Sequence, residues 1–446
     1  MPLTSFLKEK FLYYRQHWFV RNVATLQAGS FIGNFIQAGI GVMIARILQP
    51  DLFGIYSLAF GLASLVSVLL GSGIQDAVSA LLGAAYARKD KEEVTEILSF
   101  TVKITIILAL VTLVAIIFLP NIASRFYNNS SIGYYAGIIV VASILSTFLF
   151  SLTTIALQLT GKIIKMSVLI VSDQAVRYSI SLLLVFMGLG AWGAALGHFF
   201  GAIVVFIISI ILWSQIRHGY EIFPSLRKII WNLGQINVRK YLGFSLWVAA
   251  DRNMGSLYMA LPIILTGMYV PIKEVSYFKL AFGYVNLALS MLGPVSTLLN
   301  VEFPKMMIQD GKKLARNFIR VSLISMLLSC LLTVVAIITA PIVFRILYGA
   351  SFMPSVKYVS GFLVYGALFG IGVGLGPMWR ALKKVSVSIT INLIILGFGI
   401  PFGLWLVKSY GLQGAVVMVT LWFVISHFIS FAYLIRKLKT LSYQQL

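Results

Sequence analysis

Four basic side chains stand inside otherwise apolar stretches of this 446-residue chain: Lys103, Arg177, Arg252 and Lys279. A guanidinium presents donors in a planar fork that matches phosphate or carboxylate oxygens, so Arg177 and Arg252 have the chemistry to grip an anion. Three carboxylates, Asp76, Asp173 and Asp251, are embedded with them. Gln27, Ser30, Asn34 and Gln37 add uncharged polar groups, and their spacings of three, four and three put them on one helical face. Polar groups in hydrocarbon cost free energy, and they mark either a water-filled path or hydrogen bonds between helices. Both uses fit Gln27 to Gln37. Asp173 precedes Arg177 by one helical turn, so the pair reads equally as a self-neutralising bridge and as part of a path. Asp76 could line that path or close a local network. Lys279 and Arg46 fall near the ends of their apolar runs, where snorkelling to water accounts for them, and they complete the candidates for the path. His198 and His427 are single imidazoles with no second ligand at metal-binding spacing, which points to core hydrogen bonding. No cofactor is expected.

These residues need helices to hold them. The chain is 59% hydrophobic and 11% charged, whereas soluble domains run near a quarter charged. A helix needs ~20 mostly apolar residues to cross ~30 Å of hydrocarbon. Twelve runs qualify, near 23–45, 55–82, 98–119, 134–158, 167–189, 193–213, 244–268, 275–299, 321–340, 358–379, 387–407 and 413–435. Continuous runs of that length exclude a barrel, whose strands would alternate over ~10 residues. The expected fold is therefore all-α integral membrane, with twelve transmembrane helices. A net charge of +22 could suggest nucleic acid, but the basic residues follow the loops and form no single patch. Of the 35 Lys and Arg, 25 fall in loops on the side of the N-terminus, six on the other side, and four are embedded. By the positive-inside rule both termini are cytoplasmic, which predicts a multi-pass protein of the cell membrane. Residues 1–22 are basic and aromatic, without a small-residue cleavage site, and read as an interfacial amphipathic lead-in. Cys330, the single cysteine, falls within the ninth run and reads as core.

The chain also repeats itself. Leu58-Ala59-Phe60-Gly61 returns as Leu280-Ala281-Phe282-Gly283, an offset of 222. At the same offset the basic turn Gln158 to Lys162 meets Arg380 to Lys384, while Gly188-Leu189 meets Gly411-Leu412 at 223. Six spans per repeat is an even number, so the halves point the same way as two parallel six-helix lobes around a central cleft. The expected division is an N-lobe over 23–213, a cytoplasmic linker over 214–243 lying on the anionic leaflet, a C-lobe over 244–435 and a basic tail over 436–446. Shifting the polar face of the first span by 222 carries Ser30 onto Arg252 and Asn34 onto Ser256. Asp251 is ~100° round the helix from Arg252 and need not neutralise it. Proline is absent from the apolar runs of the N-terminal half, whereas Pro262, Pro294, Pro377 and Pro401 interrupt those of the other half. Bending is therefore expected there, with Pro262 and Pro294 as hinges.

Ala45-Arg46-Ile47-Leu48 running into Asp51-Leu52-Phe53-Gly54-Ile55-Tyr56-Ser57, the counterpart Glu274-Val275-Ser276-Tyr277, and Thr160-Gly161-Lys162 carry a resemblance. With these motifs the chain resembles the Wzx-type polysaccharide or O-antigen flippases of the multidrug, oligosaccharidyl-lipid and polysaccharide exporter superfamily. Ser276 departs from a glycine common at its position. The resemblance implies translocation of a polyprenyl-pyrophosphate-linked oligosaccharide from the cytoplasmic to the outer leaflet, for surface polysaccharide biosynthesis. The implied partners are the lipid-linked oligosaccharide, the bilayer and other polysaccharide-assembly membrane proteins. A cation-coupled multidrug exporter of the same superfamily is the alternative, kept open by Asp76 and Asp251. A glycan polymerase or ligase would need a sizeable outer loop with reactive groups. The longest outer stretches, near 120–133 and 341–357, hold no paired carboxylates, metal cluster or nucleophile constellation.

Overall fold

A computed structural model describes residues 18–70, 73–309 and 311–444. Its helices are α1 (Trp18–Ser67), α2 (Ile74–Ala87), α3 (Lys91–Tyr127), α4 (Ser130–Leu159), α5 (Ile163–Leu184), α6 (Gly190–Gly219), α7 (Leu226–Trp231) and α8 (Arg239–Gly267). They continue as α9 (Ile272–Leu289), α10 (Gly293–Gln309), α11 (Gly311–Val343), α12 (Ser355–Gly361), α13 (Leu363–Phe369), α14 (Leu375–Ala381) and α15 (Val385–Gln444). No strand occurs among the described residues, so the protein is an all-α integral membrane fold. Backbone polar groups have no water to bond in hydrocarbon, and a helix satisfies them within its own segment.

Seven stretches are long and apolar enough to cross a membrane, and α12 with α13–α14 forms an eighth, bent by 49°. Three of the seven run 64, 57 and 54 residues, more than twice what a bilayer needs. Each contains a break: Gln49 (φ 58°), Gly188 (φ 89°) and Gly411 (φ 58°). With α8, these breaks yield the twelve expected segments among the described residues. Helix α8 falls outside the seven because Asp251, Arg252 and Asn253 dilute its apolar run. At Gly188 and Gly411 the chain turns back in a left-handed conformation that costs glycine little. Gln49 reaches it because the following Pro50 disfavours the helical region for its predecessor. Its side chain compensates, donating from Nε2 to the Arg46 carbonyl (2.6 Å) and accepting from Ser351 Oγ (2.7 Å).

The 222-residue repeat reappears in the backbone. Gly161 (φ 69°) and Lys383 (φ 54°) occupy matching left-handed turns. Lys162 N donates to the Leu157 carbonyl and Lys384 N to the Trp379 carbonyl, both at 2.9 Å, closing the same helix C-terminal cap.

Contacts divide the chain into two compact units that do not follow the mid-chain boundary. One comprises the described residues up to Ile44 with Leu69–Ile117 and Gly137–Leu246; the other comprises Ala45–Val68, Phe118–Ala136 and the described residues from Trp247 onward. In the first unit, the connection over 214–243 is folded against α3. Ser99 Oγ donates to the Ile229 carbonyl (3.2 Å), Lys103 Nζ to the Ile236 carbonyl (3.0 Å), and Lys240 Nζ pairs with Glu96 (2.7 Å). Ile229 is buried, and Phe223 packs between Tyr86 and Trp213. Apolar side chains of the connection thereby find cover in protein, and the embedded cation Lys103 finds a carbonyl.

Proline placement needs a correction. The helices extend beyond the apolar runs, so Pro120 lies inside α3 of the N-terminal half. Pro262 lies within α8 and Pro401 within α15. Pro294 takes the second residue of α10, just after a 3-10 turn at Ser290–Leu292, inside the continuous stretch Ile272–Pro304. Of the expected lead-in, residues 1–17 lie outside the described residues.

Candidate functional site

In the first unit α5 and α6 form an antiparallel hairpin whose closeness comes from three glycines. Gly193, Gly197 and Gly201 recur every four residues on one face of α6. A Cβ at Gly197 would strike the Ser181 backbone, and one at Gly201 the backbone of Arg177. With no side chains between them, the two backbones pack directly, as small residues permit inside membranes. Ser181 Oγ secures the hairpin by donating to the Ala194 carbonyl (2.9 Å).

That packing sets the position of Arg177. Its Nε donates to Asp173 Oδ1 at 2.7 Å, and its Nη2 bonds Ser146 Oγ on α4. The two charged side chains are 12% and 22% exposed. The next residue, Tyr178, accepts a hydrogen bond from Gln37 Nε2 (2.6 Å) on α1 and meets the buried His198 ring edge-on (5.2 Å). Gly29 and Gly33 of α1 face Ser167 and Gln174 of α5, so Gln37 continues a ridge that packs against α5. Ser30 is exposed, and Gln27 and Asn34 are half-buried. The first-span face is therefore shared: Gln37 bonds between helices while Ser30 is open. One cluster thus gathers Gln37, Ser146, Asp173, Arg177, Tyr178 and His198.

Most of the remaining candidates lie in the second unit, and they are dispersed. Arg252 and Ser256 are both exposed on α8, one turn apart. The Asp251 side chain lies outside the described residues. Lys279 on α9 is half-buried with its ammonium 6.0 Å from the centre of the Phe60 ring. Arg46 is exposed and donates to the Ile346 carbonyl (3.4 Å). Asp76, in the first turn of α2 in the first unit, is exposed. His427 Nδ1 bonds the Phe423 carbonyl (2.6 Å).

Ser146, Tyr178 and the glycine ridge of α6 escaped the sequence reading. The four-residue glycine spacing was a visible signal for the ridge. Ser146 and Tyr178 carried none, because a hydroxyl in an apolar run gives no hint of its partner on another helix.

The fold matches several solved transporters. An inward-facing multidrug-resistance MATE family transporter of the MOP superfamily superposes with a TM-score of 0.67 at 15% identity, over 91% of this chain and 95% of that one. The lipid II flippase MurJ, in an inward closed conformation, gives 0.70 at 14% identity, over 93% and 87%. A MOP superfamily transporter from Pyrococcus furiosus, for which a reversed binding-pocket polarity is described, gives 0.64 at 16%, over 94% and 96%. Identities this low speak for the fold alone. A search of curated proteins found no matching sequence. A family described as polysaccharide biosynthesis protein matches residues 43–357, more than half of the chain, and the chain belongs to that family.

Proposed function

We propose that the protein is a flippase that carries a polyprenyl-pyrophosphate-linked oligosaccharide across the cell membrane by alternating access, delivering repeat units for surface polysaccharide. Family membership over residues 43–357 is the observation that carries this reading. The fold supports it, since a lipid II flippase has the same one. No bond is made or broken in such a step, and the protein is read as a transporter rather than an enzyme. Both termini are placed in the cytoplasm because 25 of the loop cations share their side. The repeat-related halves are read as the two lobes that alternate.

In this reading Arg252 meets the pyrophosphate: it is exposed on a membrane helix, with Ser256 one turn away, and guanidinium takes phosphate oxygens bidentately. Asp76 and the Asp173–Arg177 cluster line the path or brace it. A multidrug exporter is the second reading, favoured by the shared fold of a multidrug-resistance transporter. Translocation of a lipid-linked glycan in reconstituted vesicles, run beside dye efflux, separates the two. Arg252→Ala should abolish most glycan translocation at normal membrane abundance, and Arg252→Lys should keep part of it. Wild-type translocation in a stable Arg252→Ala protein would remove the residue from the path, and dye efflux without glycan movement would replace the reading.

A further inference from the structure

The second unit contains a cavity of about 240 Å³ between α8, α14 and the two halves of α15. We propose that it is a subsite for one uncharged sugar ring of the transported glycan, an inference that rests on the flippase reading.

The lining argues for the ligand. No Lys, Arg, Asp or Glu is among the described residues that line it. An anion would want a cation there and a hard metal ion would want carboxylates, so neither matches. A purely greasy ligand would not need the polar groups. Those groups come at four-residue spacings that put each pair on one helical face: Ser388 with Asn392, and Ser426 with Ser430. Ser426 Oγ donates to Asn392 Oδ1 (2.7 Å), and Asn392 Nδ2 donates to the Ser388 carbonyl (2.9 Å). The amide is thus held in one orientation with its second hydrogen to offer. His427 bonds a carbonyl through Nδ1, so Nδ1 is the donor there, and in the neutral ring Nε2 is left as an acceptor. Nε2 lies over Gly372, where any Cβ would overlap it.

Between these fixed groups stand aromatic walls. Tyr258, Trp379 and Phe423 all line the cavity; Tyr258 meets Phe423 edge-on at 5.4 Å, and Trp379 is braced by Tyr433. A sugar ring has apolar C–H faces and a rim of hydroxyls, each both donor and acceptor. Neutral amide, hydroxyl and imidazole groups beside aromatic rings complement that pattern. The volume, below the ~300–1,000 Å³ of drug-sized pockets, suits a single ring.

Glycine supplies a clean test. Cβ atoms built at Gly255 and Gly376 meet nothing within 4 Å, and both residues line the cavity. Gly255→Leu and Gly376→Leu should therefore fill it without displacing backbone, and Asn392→Leu removes the amide. Binding to the full chain in lipid nanodiscs is measured with bare polyprenyl pyrophosphate and with the same carrier bearing one hexose or one N-acetylhexosamine. At least one glycosylated carrier should bind the wild type about tenfold tighter than the bare one. The three variants should lose that gain while holding bare-carrier affinity within twofold. Equal binding of bare and glycosylated carriers by the wild type, or a gain that survives in the filled variants, overturns the subsite and leaves the flippase reading standing. Loss of bare-carrier binding in the filled variants also overturns it, because the cavity would then serve the pyrophosphate or the fold. A wild type that binds no carrier at all overturns the flippase reading and the subsite together.

Discussion

Removing Asp173 should expose what the part-buried charge pair in the first unit does. Its carboxylate lies 2.7 Å from Arg177 Nε, with the two side chains 22% and 12% exposed. Truncating one partner of a buried pair costs ~3–5 kcal/mol because the other charge is left uncompensated. Arg177 keeps Ser146 Oγ as an acceptor and some contact with solvent, which places Asp173→Ala at the low end, ~3 kcal/mol. Insertion scales agree, charging at least ~2.5 kcal/mol for an arginine in mid-membrane. Ser146→Ala removes one charge-assisted hydrogen bond and should cost ~1.5 kcal/mol. The double variant Asp173→Leu/Arg177→Met replaces the pair with apolar groups of similar volume and should lie within ~1 kcal/mol of wild type, well short of the cost of Asp173→Ala alone. Equilibrium unfolding in mixed micelles gives the energies, and vesicle translocation is run on the same proteins. A cost below ~1 kcal/mol for Asp173→Ala, or a double variant destabilised as much as Asp173→Ala, would refute the reasoning. Should the double variant be stable and fully active, Arg177 is a brace; should it be stable and inactive, Arg177 belongs to the substrate path.

Gly197→Leu should prevent accumulation of folded protein, since its side chain must displace the Ser181 backbone, whereas Gly255→Leu should fold normally; size-exclusion profiles of the two decide this. The hydrogen bond that Lys240 Nζ donates to Glu96 holds its ammonium charged beyond its ordinary range. Its folded pKa is therefore above the unfolded value, so the contribution is full at neutral pH and fades only as pH climbs past ~10.4. With side chains 52% and 30% exposed, Lys240→Ala should cost no more than ~1 kcal/mol, as melts at pH 7 can verify. Pro262→Ala restores an N–H inside α8 and should slow translocation at unchanged stability; unchanged turnover would show that α8 does not bend there.

Apolar run length is a local property, so sequence alone determined that this chain crosses a membrane many times, and roughly where. Local chemistry also made the turns at Gly188 and Gly411 legible, together with the pairing of Asp173 with Arg177 one turn on. What tertiary structure decided was which polar groups meet across helices: Gln37 with Tyr178, Arg177 with Ser146, Lys103 with the Ile236 carbonyl. It also folded the 214–243 connection onto α3 and drew Asn392 and Ser426, 34 residues apart, into one cavity wall. The reason is that lipid is as apolar as the side chains facing it, so hydropathy says that a helix is in the membrane but not which neighbour it chooses. That choice rests on close backbone packing and hydrogen-bond partners, and both depend on residues distant in sequence.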